Sequence, residues 1–291
     1  MDQRAAAEED KNDLPAAIKD MDAVISVNKD AQLMFPYNYE RRGSLKLLVG
    51  DFKGAMDDFT LALDPVKPPK PNAPMSRIYA ASFAGALVGP YYFRAIAKEL
   101  AGDRDGAIAD LEKYLSSPPM KDTSPIGRRG QEFVDSLVHS YAHADLWVLL
   151  MKSGKGREAD DQLKKYLAEY SELLEKQEDT THQQFLKQYG IKNARIQSDF
   201  IDVANYLLDK SPESGFATTD VNSAWCPYSH FYYAGMKHLF SNEKKTAITY
   251  LKQYMAHYSM NPSYLPEYYV QAAPFSCHAV LSRAELKALG Q

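Results

Sequence analysis

His139 and His143 stand four residues apart, a spacing that puts two imidazoles on one face of a helix and offers a metal two ligands. Local sequence places no third ligand, so the pair reads first as polar residues beside a helix interface and second as half of a metal site. Cys226, His230, Cys277 and His278 form the other constellation, its two Cys residues 51 apart (277 − 226). Zinc would want tighter pairs such as two C-x-x-C units, and is the weakest reading. Two buried thiols are the leading one. A disulfide tying the last helical pair to the C-terminal segment comes between them, and it alone would imply an oxidising compartment. The chain has no G-x-x-x-x-G-K-[ST] phosphate loop, no G-x-S-x-G nucleophile turn and no H-E-x-x-H. No catalytic residue, metal or cofactor is therefore assigned.

The elements that would position these residues are helical pairs. Gly50–Pro65 reads GDFKGAMDDFTLALDP, with Ala55, Phe59 and Ala62 at helical spacing after a Gly turn. Small residues there admit a neighbouring helix and the large one fills the space between. The pattern recurs at Gly102–Leu115, Gly154–Leu167 and Asn242–Met255. Its anchors are Ala55, Ala107, Ala159 and Ala247, each with a large apolar partner at Phe59, Leu111, Leu163 and Leu251. Successive offsets are 52, 52 and 88 residues. Leu14–Lys29 fits the same register through Ala17, Met21 and Val24.

These residues resemble the tetratricopeptide-repeat family. Its pattern has an aromatic and a small residue on the first helix and a Gly-acid-aromatic turn. Ala, an aromatic or Leu, a second Ala, and often Pro follow on the second helix. Tyr39, Gly43, Gly50, Asp51, Phe52, Ala55, Phe59, Ala62 and Pro65 match in the best copy. Arg94, Ala95, Gly102, Asp103, Ala107, Leu111 and Pro119 match in the next. Trp147, Gly154, Ala159 and Leu163, then Tyr233, Gly235, Ala247 and Leu251, match more weakly. The period exceeds the family's usual length of about 34 residues, and Tyr114, Tyr166 and Tyr254 stand where the third small residue is usual. The resemblance implies an all-α, right-handed helical-repeat solenoid over residues 1–291. Its units fall near 1–30, 36–65, 75–119 and 131–179, with a divergent unit at 182–210, one at 227–258 and a C-terminal cap at 263–291.

Composition agrees with a folded chain of this kind, at 45% hydrophobic and 25% charged residues. A net charge of −4 and a pI near 6.0 supply no basic surface for nucleic acid or an anionic membrane. No apolar run approaches the ~20 residues of a membrane helix. Met1–Asn12 is charged and Ala-rich. It reads either as a short first helix or as the start of a trimmed chain whose signal or anchor has gone, so a cytoplasmic or an exported, periplasmic location both fit. Pro65–Pro74 and Ser117–Gly130 are Pro- or Gly-rich connections, with Lys121, Arg128 and Arg129 in the second. Met75–Val88 reads as an additional or elongated first helix. His182–Tyr189 and Asn193–Lys210 read as two further helices, and Ser211–Val221 as a loop. Past Pro262 the reading is Ser263–Ala273, a break at Pro274, and a last helix near Ser282–Leu289 opened by a Ser282–Glu285 capping box.

In the family, function lies on the concave face lined by first helices. The resemblance places Tyr37, Glu40, Arg41 and Ser44 there, then Tyr92, Phe93 and Ile96, then Tyr141, Asp145 and Val148, then Tyr232, Tyr233 and Met236. With 20 Tyr in the chain, these residues are expected to form an aromatic strip gripping an extended peptide or helix. First helices also pack on their neighbours, so core is the competing reading for each ring. The family's clamp for C-terminal carboxylates needs Lys and Asn where Glu40, Ser44, Phe93, Tyr141 and Asp145 stand, and that ligand is not expected. The function expected is a non-catalytic scaffold or assembly factor of a multi-protein complex, able to self-associate through a solenoid end. A glycan or small-molecule binder is the alternative, and a metal-dependent enzyme using His139 and His143 or the Cys/His set a further one.

Overall fold

A computed structural model describes residues 13–30, 36–63, 89–116, 128–176, 195–216, 229–260 and 269–291. The described residues are all-helical, without strands. Met75–Val88, His182–Tyr189, Pro65–Pro74 and Cys226 lie outside them. The helices are α1 (Leu14–Asp30), α2 (Pro36–Val49), α3 (Phe52–Leu63), α4 (Gly89–Leu100), α5 (Arg104–Leu115), α6 (Arg128–Lys152), α7 (Gly156–Lys176), α8 (Arg195–Leu207), α9 (Glu213–Phe216), α10 (Ser229–Phe240), α11 (Lys244–Met260) and α12 (Tyr269–Ala288). They fall into two compact units, 1–128 with 262–280 and 129–261 with 281–291.

The turns within helical pairs share one geometry. Gly50, Gly102 and Gly154 have φ of 86°, 89° and 73°, and Asn242 takes the same place at 62°. This left-handed conformation strains a residue with a Cβ, which is why Gly or Asn is found there. Gly50 N–H donates to the Leu47 carbonyl at 3.2 Å and Asp51 N–H to that of Lys46 at 2.9 Å. The pair of bonds closes the last turn of α2 in a Schellman motif. Equivalent pairs close α4, α6 and α10. Two residues later the next helix begins. In the first two turns its free N–H groups are met by an aspartate, Asp51 Oδ1 accepting from Gly54 at 2.9 Å and Asp103 Oδ1 from Gly106 at 3.0 Å.

In the first unit α1 packs on α2, α2 on α3, α3 on α4 and α4 on α5. The small residues work as the spacing requires. A Cβ at Gly43 would lie 2.8 Å from the Phe59 ring, so α2 approaches α3 closely enough to leave Phe59 fully buried. Ala17 and Met21 of α1 pack with Leu45, and Ile25 with Tyr39 and Ala62. The α1 register read from sequence thus places Ala17 and Met21 in the core, while the third core position is taken by Ile25 and Val24 is only half-buried.

In the second unit α10 packs on α11, and α8 lies against α7, α9 and α10. Gly235 repeats the role of Gly43, a Cβ there falling 2.8 Å from Leu251. Trp147 joins α6 to α7 by donating to Asp160 Oδ1 at 2.9 Å. Lys152 meets Glu285 of α12 at 2.6 Å.

Helix α6 begins at Arg128, within the connection expected over Ser117–Gly130, and three further local expectations change. Ser282 is not an N-cap: it is fully buried inside the continuous helix α12, which runs through Pro274. Pro274 removes one intrahelical bond in the second turn, and burial of Cys277–Ser282 holds the helix beyond it. Ser211–Val221 is not wholly loop, since it contains α9. The helix expected over Asn193–Lys210 ends earlier, at Leu207, in a Schellman turn with Asp209 at φ 58°. Its C-terminus is thus built like those of α2, α4, α6 and α10.

Candidate interaction surface

The residues assigned to an open aromatic strip are mostly interior. Glu40, Tyr92, Phe93, Tyr141, Asp145, Tyr232 and Tyr233 are all buried. Tyr37, 37% exposed, and Arg41, partly exposed, keep surface. Phe93 stacks on Phe59 of the preceding pair (centroids 5.7 Å), and Tyr92 meets Phe93 and Tyr114 at 5.5 and 5.6 Å. In the second unit Tyr141 stacks on Tyr233 at 6.2 Å and Tyr232 lies 6.4 Å from Tyr254. The Tyr233 hydroxyl donates to Asp145 Oδ1 at 2.9 Å and approaches the Tyr141 carbonyl at 3.4 Å. Tyr141, Asp145 and Tyr233 therefore belong together, as a satisfied polar cluster within the core. First helices contact neighbours along a broad stripe, and each ring removes about 150–250 Å² from water when it packs there.

Glu40 is 3% exposed and, among the described residues, its Oε1 has no hydrogen-bond partner. It lies against the first residue of α4, where a Cβ on Gly89 would be 2.7 Å from that oxygen. Burial pushes the carboxyl up to about 8, so it is largely protonated at neutral pH. It is poorly placed to meet a partner's cation.

Sequence reading missed the most regular electrostatic feature of the first unit. Arg42 donates from Nε and Nη2 to both oxygens of Asp58, at 2.8 and 2.5 Å, with Lys46 at 2.9 Å from the same carboxylate. Fifty-two residues on, Arg94 makes the same fork to Asp110 at 2.7 and 2.7 Å, with Lys98 at 2.8 Å. The spare Arg42 nitrogen reaches back to Asp22 of α1 at 2.7 Å, and that of Arg94 to Thr60 of α3 at 3.1 Å. Asp22 follows Met21, and Thr60 follows Phe59, at matched places in the register. Each arginine also lies over a tyrosine ring, Tyr39 at 5.8 Å and Tyr91 at 5.4 Å. Each clamp thus ties a first helix to its own second helix and to the second helix before it. The hydrogen bond to Asp110 raises the Arg94 pKa. Burial would raise that of Asp110, but the bonds from Arg94 and Lys98 bring it below its ordinary value. The signal was available as R-x₃-K-x₁₁-D at 42/46/58 and again at 94/98/110. Alignment on the small residues alone passes over it.

The histidine pair is a packing element. His143 lies parallel to the Tyr166 ring at 3.5 Å, His139 is 5.4 Å from His143, and Ser140 Oγ shares a hydrogen bond with the Tyr166 hydroxyl at 3.0 Å. Burial, then the neighbouring His139, pushes His143 down to about 3. Among the described residues no group of three or more His, Cys, Asp or Glu is placed to hold a metal ion. Cys277 is a buried thiol.

No helix among the described residues is long and apolar enough to cross a membrane. No protein-family model, curated protein or solved structure matches the chain.

Proposed function

We propose that the chain is a right-handed helical-repeat solenoid of the tetratricopeptide type, working without catalysis as a scaffold or assembly factor in a multi-protein complex. The observation that carries this reading is the return of one helix–turn–helix unit, with its left-handed residue at Gly50, Gly102, Gly154 and Asn242. The duplicated arginine clamp of the first two full pairs adds to it. Units that interlock through matched positions stack, and stacking leaves long helix surfaces on which a partner segment can lie. Because the expected aromatic residues lie in the interior, contact with the partner is assigned to first-helix residues that retain surface. These are Tyr37 and Arg41 on α2, and Tyr91 on α4.

The test is affinity capture from the native source with the wild-type chain and a Tyr37→Ala/Arg41→Ala variant, both checked for equal helicity. A protein bound by the first and lost from the second supports the scaffold reading and its surface. Equal capture by both rejects the surface. No specific protein with either rejects the scaffold.

A further inference from the structure

The short helix α9 is pinned at its two ends by different chemistry. At one end Glu213 Oε1 accepts the Tyr250 hydroxyl, and Oε2 lies 3.0 Å from His238 Nε2. The other His238 nitrogen is 2.6 Å from Glu243. At the other end the Phe216 ring stacks on Tyr206 (4.2 Å, 7°) and stands edge-on to His230 at 5.8 Å. His230 Nε2 is enclosed and, among the described residues, has no hydrogen-bond partner. Its ring is held between Phe216 and Phe231, the latter at 4.2 Å, and Phe231 lies parallel to His257 of α11 at 5.6 Å.

We propose that α9 is an acid-released clasp: when His230 takes up a proton, Phe216 leaves it and α9 comes away from α10 and α11, uncovering the ring faces of Tyr206 and His230. An imidazolium in this setting has the Phe216 and Phe231 rings against it and, among the described residues, no acceptor at Nε2. Among the described residues, no acceptor on the surrounding elements is free to pair with it. From α8, the Tyr206 hydroxyl is kept neutral, its pKa raised by burial and then by Glu213. On α9, both oxygens of Glu213 are engaged by Tyr250 and His238. On α10, Lys237 is bound to the Tyr206 carbonyl and to Asp209. On α11, Tyr250 donates to Glu213, and His257 repels a charge on His230. Release frees the imidazolium to meet water.

Burial, then His257, holds His230 down to about 4 while α9 is closed, against about 6.5 once it is solvated. Linkage then raises the opening constant about 20-fold between about pH 7 and about pH 5, and about 100-fold by about pH 4.

The experiment is hydrogen–deuterium exchange with mass spectrometry on the intact chain at about pH 7 and about pH 5, corrected for the intrinsic pH dependence of exchange. Amides of α9, Glu213–Phe216, should exchange about 20-fold faster at the lower pH, while those of α11 hold their protection. His230→Phe should abolish the acid response, and His230→Gln serves as the second variant should the first not fold. Glu213→Gln should speed exchange of the same amides at neutral pH and keep the acid-dependent factor. Wild-type α9 exchanging alike at both pH values, or an undiminished acid response in the folded His230 variants, overturns the proposal.

Discussion

Replacing Glu40 with Gln should stabilise the protein and remove a pH dependence that the wild type carries. The Glu40 carboxyl is 3% exposed and lifted from 4.5 to about 8 by burial. A carboxyl whose pKa is higher in the folded state keeps its proton longer when folded. Its contribution is therefore complete below pH 4.5 and is lost as pH rises to about 8. At about 1.4 kcal/mol per unit, the whole window is worth about 5 kcal/mol, of which about 3 kcal/mol is already lost at pH 7. The positive N-terminal end of α4 beside Glu40 favours the anion and trims these figures by up to about 1 kcal/mol. Glu40→Gln keeps the shape and is neutral throughout. Urea unfolding followed by far-ultraviolet circular dichroism, between about pH 6 and about pH 9, should show wild-type stability falling and the variant level. The variant should be the more stable by about 2–4 kcal/mol at the alkaline end. A wild-type profile flat over that range, or a variant no more stable at its upper end, would refute the reasoning.

The acid limb should belong partly to His143. Its pKa is lowered when folded, so its contribution is present above the ordinary value of 6.5 and lost as pH falls towards about 3. Urea titrations of His143→Phe should show a shallower decline in that range. Asp110→Ala strands Arg94 and Lys98 beside a buried site and should cost about 3–5 kcal/mol. The joint replacement Arg94→Met/Asp110→Leu should cost clearly less, a difference read from the same titrations. Gly43→Ala should destabilise by about 1–2 kcal/mol although helix propensity favours Ala, because the new Cβ meets the Phe59 ring at 2.8 Å. Tyr233→Phe removes one hydrogen-bond donor from the buried Asp145 and should lower stability by about 1–3 kcal/mol, seen as an earlier thermal transition.

The limits of the helical pairs were legible because they depend on local chemistry. Pro36–Val49 and Phe52–Leu63 fall within the unit expected at 36–65 and meet at its Gly50 turn, since a Gly that must take positive φ and an apolar repeat of helical period lie within a few residues of each other. The same local reasoning failed at Ser282, whose capping-box spacing is real but whose place in α12 is set by burial. It also passed over α9, whose four residues carry no periodic signal and are held by Glu213 and Phe216 against distant side chains.

By itself, the sequence determined that this chain is helical, where its helices pair, and which alanines and glycines let them approach. Those properties follow from backbone geometry and side-chain size over a single turn of helix. Only the tertiary structure decided which face of each first helix is covered. Tyr92, Phe93, Tyr141, Tyr232 and Tyr233 have the composition of a binding strip and the location of a core. It also decided that Arg42 and Arg94 bond to carboxylates 16 residues away. Burial and ion pairing depend on what a neighbouring helix brings to within a few ångströms, and a helix's own sequence does not specify its neighbour.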